Sequence, residues 1–304
     1  MLDLSVIVLT HNEERHIGRC LAAVRRIART TIVVDSFSTD RTVNIAQSEG
    51  AVVLRNEFVN YAKQFEWALA NAPISTSWIM RLDADEVIES ELIEEIVTKL
   101  PILGPEVVGI NLKRKLIFMD RWIRYGGRYP LILLRIWRHG FGRIENRWMD
   151  EHMIVWGGRT LTLDGGFSDH NLNDLTFFTD KHNKYATREA IDVINQKYAL
   201  FFCDQTLSSR STSLQASFKR VIKKNVYNRV PFWISAPGYF VFRYILQLGF
   251  LDGYPGLIYH FLQGFWYRFL VGAKVLEFEK ELRHCGTNAD RVATLEKLTG
   301  YTFV

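Results

Sequence analysis

The chain is poor in cysteine: 304 residues carry three, Cys20, Cys203 and Cys285. No two of them have the spacing of a metal or redox pair, and an odd number does not suit a disulfide framework. Both points fit a reducing cytoplasm. The G-x-G-x-x-G pattern that opens most dinucleotide sites is missing after the first apolar run, which removes most of the support for a dehydrogenase. The N-terminus, Met1-Leu-Asp-Leu-Ser-Val-Ile-Val-Leu-Thr10, has no basic n-region, and its apolar run is too short for a signal peptide. It reads as a first strand. Internal repeats and low-complexity tracts are absent from the sequence as well.

What is present is ordinary in bulk and uneven in detail. Hydrophobic residues make up 48% and charged residues 23%, the balance of a globular chain long enough for one domain plus an appendage. A net charge of +5 with a pI near 9.0 favours anionic partners: nucleotide phosphates, nucleic acid or an acidic membrane surface. The first half alternates strands and helices. Leu4 to Leu9, Thr31 to Val34, Ala51 to Leu54 and Trp78 to Leu82 read as strands. The stretches from Glu13 (with Ile17, Leu21, Val24 and Ile27), through Val43 and Ala46, and from Tyr61 to Ala70 read as helices, the second capped by Ser38 or Thr39. Such an order implies right-handed crossovers and an α/β sheet with helices on its faces.

The stretch Ser77-Trp-Ile-Met-Arg-Leu-Asp-Ala-Asp-Glu86 carries the chemistry. A buried strand ends in Asp83 and Asp85, at the sheet edge where α/β proteins bind ligands. Two carboxylates one residue apart repel unless a cation is near, and a hard divalent ion with oxygen ligands is the natural partner. Solvation of a loop, with Asp85 or Glu86 starting the next helix, is the other reading. Thr10-His-Asn-Glu13 and Asp35 to Asp40 end the other strands on the same edge. Asn12, Glu13 and Asp35 can bond a base and ribose there, or serve as turn and cap residues.

In order along the chain, Ser5-Val-Ile-Val-Leu-Thr-His-Asn-Glu13, Ile32-Val-Val-Asp-Ser-Phe-Ser-Thr-Asp-Arg-Thr42 and Arg81-Leu-Asp-Ala-Asp-Glu86 resemble the successive motifs of family 2 glycosyltransferases. These are inverting enzymes of the GT-A fold, a Rossmann-like mixed sheet flanked by helices. The nearest subgroup is the bacterial lipopolysaccharide-core β-1,4-glucosyltransferase-like proteins. The resemblance covers about residues 1–170. It implies a GT-A catalytic domain at 1–174 and a helical C-terminal region at 175–304. It implies that Thr10, Asn12, Glu13 and Asp35, with Ser38 beside them, hold the nucleoside of a nucleotide sugar, expected to be a UDP-sugar. Asp83 and Asp85 would bind Mn2+ or Mg2+ on the diphosphate, with His170 of Leu163-Asp-Gly-Gly-Phe-Ser-Asp-His170 completing the shell. Lys63 and Arg81 would lie near ribose and phosphates, and Arg135 of the Gly126-to-Arg135 segment would contact phosphate. An inverting transfer needs a carboxylate general base. In Trp148-Met-Asp-Glu-His-Met153, Glu151 stands where the family places it, with Asp150 the alternative.

The last third is helical in pattern and rich in aromatics. Phe178 to Val193 reads as an amphipathic helix, and the run from Phe218 to Arg229 is basic with no acid. Apolar stretches follow at about 232–251 and 254–273, broken by Arg243, Asp252, His260, Arg268 and by Pro237, Gly238, Gly253, Pro255 and Gly256. A membrane-spanning helix needs about 20 apolar residues with few charges. The expectation is therefore a peripheral or monotopic protein on the cytoplasmic face of the bacterial inner membrane. Its aromatics would sit at headgroup depth and its basic run against anionic lipid. An aromatic hairpin packed on the catalytic domain, or on a second copy in a homo-oligomer, is the alternative. Aromatics in apolar runs suit lipid better than nucleic acid, so no nucleic-acid partner is expected. The reading overall is transfer of a sugar to a hydroxyl of a lipid-linked glycan or of a lipopolysaccharide or capsule precursor. A polyprenyl-phosphate sugar transferase and a non-catalytic membrane scaffold are the alternatives.

Overall fold

A computed structural model describes residues 1–145, 151–201 and 230–303. Four strands enter the sheet first: β1 (Leu4–Thr10), β2 (Thr30–Asp35), β3 (Val52–Arg55) and β4 (Trp78–Asp83). Helices α1 (Ile17–Val24), α2 (Thr42–Ser48) and α3 (Tyr61–Asn71) connect them. All four strands are parallel, in the spatial order β3-β2-β1-β4. β1 is buried along almost its whole length, as a central parallel strand covered on both faces must be.

Beyond β4 the sheet turns mixed. A short β5 (Glu86–Ile88), helix α4 (Ser90–Lys99) and the long strands β6 (Val107–Phe118), β8 (Leu131–Arg138) and β11 (Arg159–His170) extend the order to β4-β8-β6-β11-β5. β7 (Arg121–Ile123) folds back on β6, and β9 (Gly142–Ile144) pairs with β10 (Met153–Val155) in a separate two-stranded sheet. β8 runs antiparallel to β4 and to β6, and β5 antiparallel to β11. This is the α/β, GT-A arrangement.

Side-chain alternation along β4 divides the core. Trp78, Met80 and Leu82 point into one cluster with α1 and α4, while Ile79 points into another with Phe65 of α3 and Trp137 of β8. The register then sets the active edge. Thr10 lies opposite Asp35, and Leu9 opposite Asp83.

The C-terminal part begins with α5 (Leu175–Tyr198), capped by Asp174, whose side chain accepts from Phe177 N–H. After the undescribed 202–229 come α6 (Phe232–Val241), α7 (Gly253–Tyr259), α8 (Tyr267–Leu282) and α9 (Asn288–Thr299), joined by wide π-type turns at Phe242–Leu246 and His260–Trp266. Ala190, Ile191 and Ile194 of α5 pack on Phe278 and Leu282 of α8, and Phe118 and Ile123 of the sheet pack on Tyr259. No helix among the described residues is long and apolar enough to cross a membrane.

Three local expectations change. Neither Ser38 nor Thr39 caps α2: the cap position is Arg41, and Asp40 accepts from Thr42 N–H at 2.9 Å instead. Neither Asp85 nor Glu86 starts a helix, because β11 captures Glu86–Ile88 as a strand and α4 waits until Ser90. Ile27 lies past the end of α1, which stops at Val24, yet is still fully buried.

Candidate active site

Arg81 and Asp83 are two residues apart on β4 and so share one face. Tyr61, the first residue of α3, sits over that face. Its hydroxyl donates to Asp83 Oδ1 at 2.5 Å and accepts from Arg81 Nε at 2.9 Å. The Arg81 guanidinium lies 4.2 Å from the Tyr61 ring centre. From β8, Arg135 reaches Asp83 Oδ2 at 3.5 Å and also pairs with the buried Glu86. Burial alone would raise the Asp83 pKa, but Arg135 and Arg81 outweigh it and lower it to about 2. Burial pushes Glu86 up to about 8, against the pull of Arg135 and with the push of Asp83 and Asp169.

Asp85 occupies the β4–β5 turn. Its Oδ2 accepts from Asn171 Nδ2 at 2.9 Å and lies 3.9 Å from Lys181 Nζ on α5. Its Oδ1 has no hydrogen-bond partner among the described residues. Burial would lower the Lys181 pKa, yet Tyr185, Asp85, Asp169 and Glu13 together raise it, so the ammonium is held charged. His170 ends β11 beside this turn, and its backbone N–H donates to Asp85 O at 3.0 Å. Its ring lies 3.3 Å from Asp120 Oδ1 and 3.5 Å from Arg19. His170 is thus a neighbour of the acidic pair, but no three His, Cys, Asp or Glu side chains among the described residues gather as a metal cage. Asp169 pairs with Arg114 at 3.2 Å, and burial raises its pKa.

The expected nucleoside residues form one hydrogen-bonded edge. Asp35, fully buried, accepts from Thr10 Oγ1 at 3.1 Å, from Ser38 N–H at 2.9 Å and from Ser38 Oγ at 2.5 Å. Asn12, at φ 56, accepts from Thr39 N–H and donates its own N–H to Ser38 Oγ, tying the β1 and β2 turns together. The Glu13 carboxylate holds His16 Nδ1 at 2.6 Å. Lys63 lies in the first turn of α3, half-buried, and does not line the main cavity.

That cavity, of about 2660 Å³, runs from Asp83 and Asp85 to the C-terminal helices. Glu151 lines it, as do His170 and Lys181. Asp150 lies outside the described residues, as does the basic run 219–229. Sequence reasoning missed Tyr61, Glu86, Asn171 and Lys181. Tyr61 and Glu86 flank motifs already singled out, and a buried carboxylate next to Asp-x-Asp is a detectable signal. Lys181 is not, because only the docking of α5 brings it across.

A mixed α/β sheet whose parallel strands end in Thr10, Asp35 and the Asp83–Asp85 pair defines the GT-A class of transferases. The chain belongs to glycosyl transferase family 2, whose model matches residues 5–170. The lipopolysaccharide core biosynthesis glycosyltransferase LpsC of Rhizobium meliloti is 32% identical over 199 residues, 62% of this chain and 71% of that one. An uncharacterized glycosyltransferase of Rickettsia typhi is 38% identical over 96 residues, and the match spans about a third (32%) of either chain. Among solved structures, glucosyl-3-phosphoglycerate synthase from Mycobacterium tuberculosis is similar over 37% of this chain and 43% of its own, at 21% identity and a TM-score of 0.31.

Proposed function

We propose that the protein is an inverting hexosyltransferase. It moves a sugar from a UDP-sugar to a hydroxyl of a lipid-linked glycan or of a lipopolysaccharide or capsule precursor. The acidic pair at the end of β4 carries this reading: it opens into one cavity with Glu151, and is backed by Arg81, Arg135 and Lys181.

The residues suit a divalent ion. Mg2+-type ions take one or two carboxylates and leave the other positions to phosphate oxygens and water, so a full protein cage is not required. Asp85, with its open Oδ1, and the ionised Asp83 would hold it, with His170 adjacent. Bound there, the ion supplies charge stabilisation to the departing diphosphate. Thr10, Asn12, Glu13, Asp35 and Ser38 frame the nucleoside, and Arg81 faces the phosphates; Lys63, outside the cavity lining, is left without a direct contact in this reading. Arg135, 4% exposed, orients Asp83 and adds positive field to the phosphate region. Glu151 takes the proton of the acceptor hydroxyl as its oxygen bonds to the anomeric carbon. The bond from that carbon to the diphosphate oxygen breaks, UDP leaves with the electron pair, and the configuration inverts. Tyr61 fixes the Asp83 carboxylate through its hydroxyl, so the pair is oriented before substrate arrives.

The test is turnover with a panel of nucleotide sugars, with and without Mn2+ or Mg2+. One UDP-sugar turns over only with metal. Asp85→Ala lowers the rate by about 100-fold or more, the scale of losing a group that stabilises developing charge. Metal-independent turnover that survives Asp85→Ala overturns the reading.

A further inference from the structure

The other end of the cavity holds a cluster that the donor does not use. Gly126, Gly127 and Arg128 turn between β7 and β8, with φ of +66 and +68 at the glycines. The turn is clamped by the C-terminal helices. Gly126 N–H donates to Gln247 O at 2.9 Å, and Arg243 Nε donates to Gly126 O at 3.1 Å. Two residues upstream, the backbone N–H groups of Arg124 and Tyr125 donate to Asp252. The chain therefore brings Arg128 and Arg243 together by design of the backbone, from positions 115 residues apart in sequence.

Neither guanidinium is ion-paired among the described residues. Arg243 is 1% exposed; beyond Gly126 it bonds Gln263, and its Nη2 is buried with no partner. The Arg128 side chain makes no hydrogen bond among the described residues; its Nε is buried, and the residue lines the cavity. Both stand against aromatic rings, Arg128 5.3 Å from the centre of Tyr259 and Arg243 5.6 Å from the same ring. Burial, then Arg243 and Arg114, lower the Arg128 pKa, so the two cations repel. Stacking on a ring offsets only part of the cost of holding two like charges out of water with unused N–H groups. Such an arrangement is a preorganised receptor for an oxyanion: the donors are fixed and need no reordering when it binds.

We propose that Arg128 and Arg243 form a second anion subsite in this cavity, which binds a phosphate ester carried by the acceptor. Arg128 contacts the phosphate through its terminal nitrogens. Arg243 positions the turn and adds charge from behind. The cavity joins this subsite to Asp85 and Glu151, so a phosphorylated acceptor held here reaches toward the reacting centre. This rests on the glycosyltransferase reading for its meaning, but not for its test.

The experiment uses the full chain, saturated with UDP and Mn2+ so that the donor site is filled, and titrates methyl phosphate by calorimetry. Wild type binds it. Arg128→Gln weakens it about tenfold or more, as expected for losing a charge-assisted contact, while Arg128→Lys recovers part. UDP affinity is unchanged in both. Because the Arg128 side chain has no ion pair or hydrogen bond to lose among the described residues, and its burial beside Arg243 costs more than its stacking on Tyr259 returns, the melting temperature of Arg128→Gln stays level or rises, whereas a structural role would make it fall. Dodecyl phosphate and glucose 6-phosphate form two further arms. The one that binds more tightly than methyl phosphate assigns the phosphate to a lipid or to a sugar. No methyl phosphate binding to the UDP-loaded protein, or equal binding to Arg128→Gln, overturns the subsite. If UDP itself does not bind, the donor reading falls, and the same wild type against Arg128→Gln comparison on the unloaded protein still decides the subsite.

Discussion

His260 is fully buried, and neither ring nitrogen has a hydrogen-bond partner among the described residues. Burial, with Arg243 and Arg128 nearby, lowers its pKa to about 3. In the unfolded chain it returns to about 6.5. Between those values the unfolded state holds the extra proton, so acid favours unfolding. The contribution is fully present above pH 6.5 and is lost as pH falls toward 3, amounting to about 2 kcal/mol by pH 5. The expected outcome is a melting temperature that drops from pH 7 to pH 5 by less in His260→Leu than in wild type. Parallel drops would mean that the imidazole is already solvated. At this scale the sequence was partly legible. Asp83, Asp85, Asp35 and Thr10 announce themselves as polar residues ending apolar runs. His260 and Arg243 do not: they look like interruptions of a lipid-facing stretch, and only tertiary contacts with Gly126 show that they are interior.

Elements set by local pattern were readable, and those set by distant partners were not. β1, α3 and β4 follow from buried runs and helical spacing. β5 is three residues long and exists because β11, some 80 residues later, pairs with it at Phe167↔Ile88. α5 runs longer at both ends than its apolar spacing suggests, because Asp174 caps its start and Ala199, at φ 51, ends it. The turn between β7 and β8 is a sharper case. Gly126-Gly127 reads as punctuation, yet it is the seam between sheet and C-terminal helices. A Cβ at Gly126 would stand 2.1 Å from His260 Cε1, and His260 has no room to retreat. Gly126→Ala should therefore cost about 1–3 kcal/mol from the positive φ alone, with the clash added. Thermal melts would show the loss. Limited proteolysis should show earlier cleavage in the C-terminal helices than in the sheet. An unchanged melt would mean that the turn is not held against the helices in solution.

The whole molecule presents two unlike surfaces. The sheet part exposes large apolar side chains at scattered positions, Ile102 at 78% and Phe37 at 55% among them. In the C-terminal helices they crowd along one stretch of chain: Trp233 and Ile234 are each 57% exposed, Leu246 is 70% exposed and Tyr254 84%, with Phe242, Ile245, Phe250 and Leu251 also exposed. No helix among the described residues is long and apolar enough to cross a membrane. Proline and glycine do not break the segments as their pattern suggests: Pro237 and Gly238 lie inside α6 and Pro255 and Gly256 inside α7, and the α-helical path is interrupted between Leu246 and Gly253 instead. Helices that carry exposed apolar side chains are suited to lie in an interface. The proposed setting is thus the cytoplasmic membrane surface, where a lipid-linked acceptor would meet the cavity. Vesicles of phosphatidylcholine with phosphatidylglycerol should sediment the protein, and more so at low salt. Leu246→Glu with Trp233→Glu should lower the melting temperature only slightly, because both side chains are more than half exposed, and should release most of the protein from the vesicles. The competing idea is a second copy of the chain covering this face. In that case the double variant would change the sedimentation velocity of the vesicle-free protein from dimer to monomer, while wild type would ignore the vesicles. The two outcomes separate cleanly because lipid binding needs no self-association, and self-association needs no lipid.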